Sequence, residues 1–188
     1  YYGFEKDDSY LLLDAGKIAP DFLPAHGHGD ILSFEWSIGG ERFFIDKGVF
    51  EYSAGKKRQI SRSTKSHNTV TIAGEDKCEF WHSFRVAKRA NVEVFDYQYE
   101  KESFSIVASH DGYKRLNGNP IHERKLKFNG SELFVTDKIR GGEELKAEAR
   151  FLIGPTIDIV KTDNCILLKG EKYDLEFDCN YSVKVKDS

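Results

Sequence analysis

The stretch Ile31-Leu32-Ser33-Phe34-Glu35-Trp36-Ser37-Ile38-Gly39-Gly40-Glu41-Arg42-Phe43-Phe44-Ile45-Asp46 decides the fold class. Apolar and polar residues alternate with a period of two in Ile31–Ile38 and again in Arg42–Asp46, and a Gly-Gly pair separates the two runs. That pattern describes two strands with a turn between them. Working outward, the same alternation returns in Thr69–Ile72, Asn91–Tyr97 and Ser103–Ser109, the last with Phe104, Ile106 and Ala108 on one face. It continues in Tyr173–Phe177 and Tyr181–Val185. Turn chemistry at Asn117-Gly118-Asn119-Pro120, Asn129-Gly130 and Gly141-Gly142 falls between the runs. No segment carries a helix signature; Gly142–Leu152, rich in Glu, Ala and Lys, reads as strand because Ala147, Ala149 and Phe151 alternate. With no repeat, low-complexity tract or linker, residues 1–188 read as one all-β domain, an antiparallel multi-stranded β-sandwich.

Composition agrees. Aromatic residues make up 13% of the chain, with 14 Phe and 9 Tyr against no Met, which suits packed strands better than a plastic helical surface. No apolar run approaches the roughly 18 residues that span a bilayer, so no membrane partner is expected. A net charge of −3, with a single basic run that lacks interleaved aromatics, argues against nucleic acid. Cys78, Cys165 and Cys179 are odd in number and far apart, so they read as small buried hydrophobes rather than a disulfide framework or a metal knuckle.

Three of the six histidines lie in two short segments, His26-Gly27-His28-Gly29-Asp30 and Ser66-His67-Asn68-Thr69. Histidines two apart point to one side if extended, and the interleaved glycines remove side chains that would crowd an ion or a sugar. With Asp46, two imidazoles and a carboxylate make a donor set suited to zinc. Read on spacing alone, the same residues are also compatible with surface polar groups at loop ends. Between them runs Lys56-Lys57-Arg58-Gln59-Ile60-Ser61-Arg62-Ser63-Thr64-Lys65, five positive charges with no acid. It reads either as a solvated strand edge or as a rim for an anionic sugar, Arg58 and Arg62 gripping carboxylate or sulfate in a bidentate manner. His82, His110 and His122 read as structural, and Trp36 as core.

Taken together, His26-Gly-His-Gly-Asp30, Ser33, Gly39-Gly40, Phe44-Ile-Asp46-Lys-Gly48, Tyr52, Arg58 and Arg62-Ser-Thr-Lys-Ser-His67-Asn-Thr-Val70 resemble the heparinase II/III-like lyases. Glu79-Phe80-Trp81 and Phe84-Arg85-Val86 extend the likeness; Gly112-Tyr113 and His122-Glu-Arg124 add a weaker match. The resemblance implies a C-terminal β-sandwich whose partner is an N-terminal (α/α) toroid of the same full-length protein. Its implied substrate is an acidic, uronate-containing polysaccharide such as a glycosaminoglycan or alginate, cleaved by β-elimination in the cleft between the two parts. It places His28, Asp46 and His67 at the family's metal-ligand positions, zinc being the expected ion, and His26 where a histidine faces substrate. Tyr52 matches a cleft tyrosine of some relatives with a slip of about one residue, and Ile60 stands where relatives often carry an aromatic. Periplasmic or secreted location is implied in the same way.

The implied reaction removes the proton α to a uronate carboxylate and expels the 4-linked oxygen, so it needs a base, an acid and stabilisation of an enediolate. His26 and Tyr52 are the catalytic candidates in this chain, and the rest of the set belongs to the toroid. The expected metal has a structural role, pinning two loops together. Two other readings compete with this one. A cupin-like metalloenzyme is disfavoured because Glu35 lies seven residues after His28, not three or four. A non-catalytic carbohydrate-binding sandwich stays open.

Overall fold

The computed structural model describes residues 1–162, 165–181 and 183–185. Its strands are β1 (Tyr2–Lys6), β2 (Ser9–Leu13), β3 (Phe34–Ile38), β4 (Glu41–Phe44), β5 (Val70–Ile72), β6 (Phe80–Trp81), β7 (Arg85–Val86), β8 (Val92–Tyr99), β9 (Phe104–His110), β10 (Ile121–Phe128), β11 (Leu133–Arg140), β12 (Ala147–Ala149), β13 (Asp158–Lys161), β14 (Ile166–Lys169) and β15 (Asp174–Phe177). They pair antiparallel throughout, in the orders β1-β2-β3-β4, β11-β10-β9-β8, β12-β5, β13-β14-β15 and β6-β7. Gly39 and Gly40 join β3 to β4 with φ of 62° and 81°, a backbone that favours glycine at the turn read from the sequence.

The two four-stranded sheets face each other. Phe4, Leu11, Leu13, Phe34 and Trp36 of the first pack with Phe104, Ile106, Ala108, Leu126 and Phe128 of the second in one buried cluster. Rings bridge the layers, Phe4 to Phe128 at 5.2 Å and Trp36 to Phe128 at 5.8 Å between centroids. Burying each such side chain stabilises by roughly 1.5–3 kcal/mol. Trp36 is core, as expected, and its indole donates to Ser9 Oγ at 3.0 Å.

The inner face of β10 changes character along its length. Phe128 and Leu126 sit in the apolar core, but Arg124 and His122, next on the same face, are equally buried. A buried guanidinium needs partners. Arg124 donates side-on to both oxygens of Asp137 on β11, each at 2.8 Å, and through Nη1 to the carbonyls of Leu32 and Asn68. The polar end of the sandwich therefore holds the backbone of the second histidine segment and of Leu32, two residues past the first.

Several expectations are corrected. The basic run is not a strand edge: Lys56–Arg62 is an α-helix, α1, and single 3₁₀ turns occupy Pro24–His26 and Thr64–Ser66. Of Gly142–Leu152 only Ala147–Ala149 forms a strand, pairing with β5. In Tyr181–Val185, Ser182 lies outside the described residues and the rest carries no strand. Cys78 is buried as expected, whereas Cys165 is half-buried and Cys179 exposed. No helix among the described residues is long and apolar enough to cross a membrane.

Candidate functional site

His26 and His28, two apart, part company. The 3₁₀ turn ends at His26, whose ring stands exposed 5.5 Å from that of Tyr52 and 6.3 Å from Phe84, centroid to centroid. His28 turns inward, 7% exposed, with its ring 5.5 Å from that of fully buried His67. The glycines between them serve packing rather than leaving room for a ligand: a Cβ on Gly27 would meet Ile18 Cγ1 at 2.8 Å, and one on Gly29 would meet Thr64 Oγ1 at 2.6 Å. Gly29 also donates its N–H to the Arg62 carbonyl at 2.8 Å, tying this loop to the end of α1.

Two buried side chains set the loop backbones. Arg62 donates through Nε and Nη2 to the Gly27 carbonyl (3.2 and 3.0 Å) and through Nη1 to that of His82 (3.2 Å), with its guanidinium 4.6 Å from the centre of the Phe80 ring. All its donor nitrogens are thus engaged inside the protein, so Arg62 positions the peptide between the two histidines instead of gripping substrate. Asn68, also fully buried, donates through Nδ2 to the carbonyls of Phe34 (2.7 Å) and Ile45 (2.9 Å) and accepts from Leu152 N–H. It locks His67 in register with Asp46. Lys77 completes the support, donating to Thr69 Oγ1 at 2.7 Å and to the Ile31 carbonyl, with burial pushing its amine down to about 7. Sequence reasoning missed Lys77 and the supporting role of Asn68, and read Arg62 as a substrate contact. Their polarity gave no inward signal.

Asp46 and His67 do come together, His67 Nδ1–H donating to Asp46 Oδ2 at 2.6 Å while Asp46 Oδ1 accepts from Gly48 N–H at 2.7 Å. Burial pushes the Asp46 carboxyl up, but the His67 hydrogen bond and charge outweigh it and hold Asp46 below its usual range. The other ring nitrogen of His67, Nε2, is buried with no partner. His28 Nε2 faces Arg58 Nη1 at 2.8 Å; since a guanidinium only donates, that nitrogen must be the bare one. Burial first, then His67 and Arg58, lower His28 to about 4, so it is a neutral imidazole. Arg58 itself is fully buried, its guanidinium 5.8 Å from the Tyr52 ring and 5.6 Å from that of Phe84. It does not face solvent as a substrate grip.

The residue types therefore suit a zinc-like ion and the chain brings them together, but the arrangement does not fit one. Among the described residues no group of three or more His, Cys, Asp or Glu side chains is set to hold an ion. Arg58 occupies one imidazole lone pair, and Asp46 is turned to the far nitrogen of His67.

A cavity of about 420 Å³ opens beside the cluster, lined by His26, His28, four carboxylates, Asp14, Asp30, Glu35 and Asp46, and Arg42, which pairs with Glu35. Carboxyl groups outnumber the one arginine in its lining. Burial and then the neighbouring Asp30 raise Asp14 to about 6, and the Tyr1 hydroxyl is pushed up to about 12, by Asp14 first. Positive charge lies instead on the outer face of α1, where Lys56 and Lys57 are exposed, Lys57 Nζ 4.7 Å from the centre of the Phe50 ring.

Comparison with known proteins adds to this geometry. The family described as "Heparinase II/III-like, C-terminal" matches residues 1–185. Among solved structures, a heparinase III gene product superposes with a TM-score of 0.67 at 20% identity, over 85% of this chain and 23% of its own length. A heparan sulfate lyase of Pedobacter heparinus gives 0.65 at 19% identity, over 87% of this chain and 24% of the other. The chain thus spans about a quarter of the length of these structures, and at such identities the likeness speaks for the fold. No curated protein matches it. The family match covers nearly the whole chain, and the chain belongs to the heparinase II/III-like family as its C-terminal domain.

Proposed function

We propose that this chain is the β-sandwich part of a polysaccharide lyase that cleaves a uronate-containing polysaccharide by β-elimination, completed by an N-terminal toroid. The observation that carries the reading is the pairing of exposed His26 with Tyr52 at 5.5 Å, directly beside a buried histidine cluster that immobilises the loop. In the elimination a base takes the proton α to the carboxylate, the electron pair forms the new double bond, and the 4-linked oxygen leaves with a proton from an acid. His26 and Tyr52 are the imidazole and phenol of this chain placed to exchange those protons. Arg62 holds the peptide behind His26 in place, the preorganisation that proton transfer needs.

The acidic cavity repels a uronate, so the anionic chain approaches over the exposed lysines of α1. The resemblance also names His28, Asp46 and His67 as ligands of a zinc-like ion, but their arrangement here does not fit one, and no step of the reading runs through a metal. The test is formation of the ultraviolet-absorbing unsaturated uronate from a panel of acidic polysaccharides. Turnover is expected from the protein joined to its toroidal part and none from residues 1–188 alone. Binding without cleavage by the joined protein would instead support a carbohydrate-binding module.

A further inference from the structure

The β6–β7 hairpin carries an aromatic ring and a cation that the sandwich itself does not use. Its register pairs Phe80 with Val86 and Trp81 with Arg85. Phe80 and Val86 pack on the apolar core, so the pleat turns Trp81 and Arg85 side by side onto the outer face. Trp81 is 60% exposed, whereas Trp36 lies in the core with its indole N–H bonded to Ser9. Arg42, Arg89, Arg115, Arg140 and Arg150 each lie within 4.0 Å of a carboxylate. Exposed Arg85 has none among the described residues.

The hairpin is tied down beside the candidate site. Arg62 donates to the His82 carbonyl at 3.2 Å and rests 4.6 Å from the centre of the Phe80 ring. Ser83 Oγ accepts from Gly55 N–H at 2.9 Å, and the Phe84 ring comes within 6.3 Å of that of His26. His82, at the tip, takes a left-handed φ of 57°, a conformation that a non-glycine residue keeps only where its surroundings impose it.

We propose that Trp81 and Arg85 form a subsite for an anionic sugar unit, a neighbour in the same polymer of the unit that reacts at His26. This subsite rests on the lyase reading for its choice of polymer and adds a second place where substrate is gripped. The C–H face of a pyranose ring stacks on the flat indole, while the Arg85 fork takes the carboxylate or sulfate of the same unit through two parallel N–H bonds. Arg124 and Asp137 show that side-on geometry within this chain. Tryptophan and arginine are also the side chains that most often dominate binding at a protein surface. Through Gly55 the hairpin adjoins the start of α1, so Arg85 and the exposed Lys56 and Lys57 lie on neighbouring elements.

Binding is read by calorimetry in the joined protein carrying His26→Ala, so that substrate is not consumed. Hexasaccharides of heparan sulfate, chondroitin sulfate and alginate are the probes, and cellohexaose is the uncharged control. For the acidic probe that binds best, Trp81→Ala should cost about tenfold in affinity and Trp81→Phe much less. Arg85→Gln should cost about threefold to tenfold and flatten the dependence on salt, a slope that Trp81→Ala leaves unchanged and that a merely structural role would not move. Both side chains are exposed, so melting temperatures should hold. Parental affinity in Trp81→Ala or Arg85→Gln overturns the subsite, as does cellohexaose binding as well as the acidic probes, or no acidic probe binding at all. Binding that depends on Trp81 and Arg85, with no unsaturated product from the joined parent, keeps the subsite and removes the lyase reading.

Discussion

The guanidinium of Arg62 closes on the carbonyl of Gly27 with two of its nitrogens, at 3.2 and 3.0 Å, and so fixes the peptide that leads from Gly27 into buried His28, one residue past exposed His26. With the Gly29 N–H bond to the Arg62 carbonyl, that clamp sets His26 outward and His28 inward.

Arg62→Lys should consequently be far from conservative. A lysine cannot reach two carbonyls with a planar fork, and it leaves the Gly27 or His82 oxygen without its donor. Urea unfolding should show a loss of about 2–4 kcal/mol. A change under about 0.5 kcal/mol contradicts the clamp.

Asn68→Asp tests the register between His67 and Asp46. The shape is kept, but an oxygen replaces the amide that donates to the Phe34 and Ile45 carbonyls, so acceptor meets acceptor in a buried site. We expect a loss of about 3–5 kcal/mol by chemical denaturation, with Asn68→Ala milder than Asn68→Asp.

A buried chain of histidines should make the fold acid-sensitive. Gly112 N–H donates to His110 Nδ1, His110 Nε2 lies 3.2 Å from His122 Nδ1, and His122 Nε2 lies 2.7 Å from Asp137 Oδ1. Only two neutral rings, each protonated at Nε2, satisfy that order. Burial lowers His110 well below its ordinary value and lowers His122 to about 4. Both folded values lie below the unfolded 6.5, so the unfolded chain binds more protons beneath that pH. Their contribution is complete above about 6.5 and is lost as pH falls toward 4, at up to about 1.4 kcal/mol per pH unit for each ring. Denaturation at pH 7.5 and 5.0 measures it. Equal stability at both contradicts the neutral pair.

The strands were legible because their faces alternate: Phe34 with Trp36, and Phe104 with Ile106 and Ala108, point to one core in sequence and structure alike. Helix α1 was not legible, since its buried face is Arg58, Ser61 and Arg62, and apolar periodicity says nothing about a polar face turned inward. The i, i+3, i+4 spacing of those three residues was the signal available. On β10 the alternation His122, Arg124, Leu126, Phe128 was present but was not singled out as a strand, because its inner face passes from core to polar support. Of the residues singled out in the sequence, His26 lies beside Tyr52, and His28 and Asp46 lie beside His67. What sequence could not supply was direction: His26 faces outward beside Tyr52, and Arg58 is turned onto His28.

Charge on the outside of α1 gives a kinetic prediction. If Lys56 and Lys57 guide the anionic chain, a Lys56→Ala/Lys57→Ala double variant of the joined enzyme should raise KM several-fold with kcat held, because the contact is made equally in ground and transition states. The effect should shrink as ionic strength rises. An unchanged KM at low salt removes α1 from the binding path.

The central claim is that His26 works at the reacting sugar while the cluster behind it only holds it there. The most direct measurement compares His26→Ala with the parent in the joined enzyme, following the unsaturated uronate by its absorbance alongside melting temperature. Turnover should fall by about 10²–10⁴-fold, the contribution of a positioned acid or base, while melting temperature stays put. Parental turnover in His26→Ala, or no unsaturated product from the parent on any acidic polysaccharide, contradicts the account.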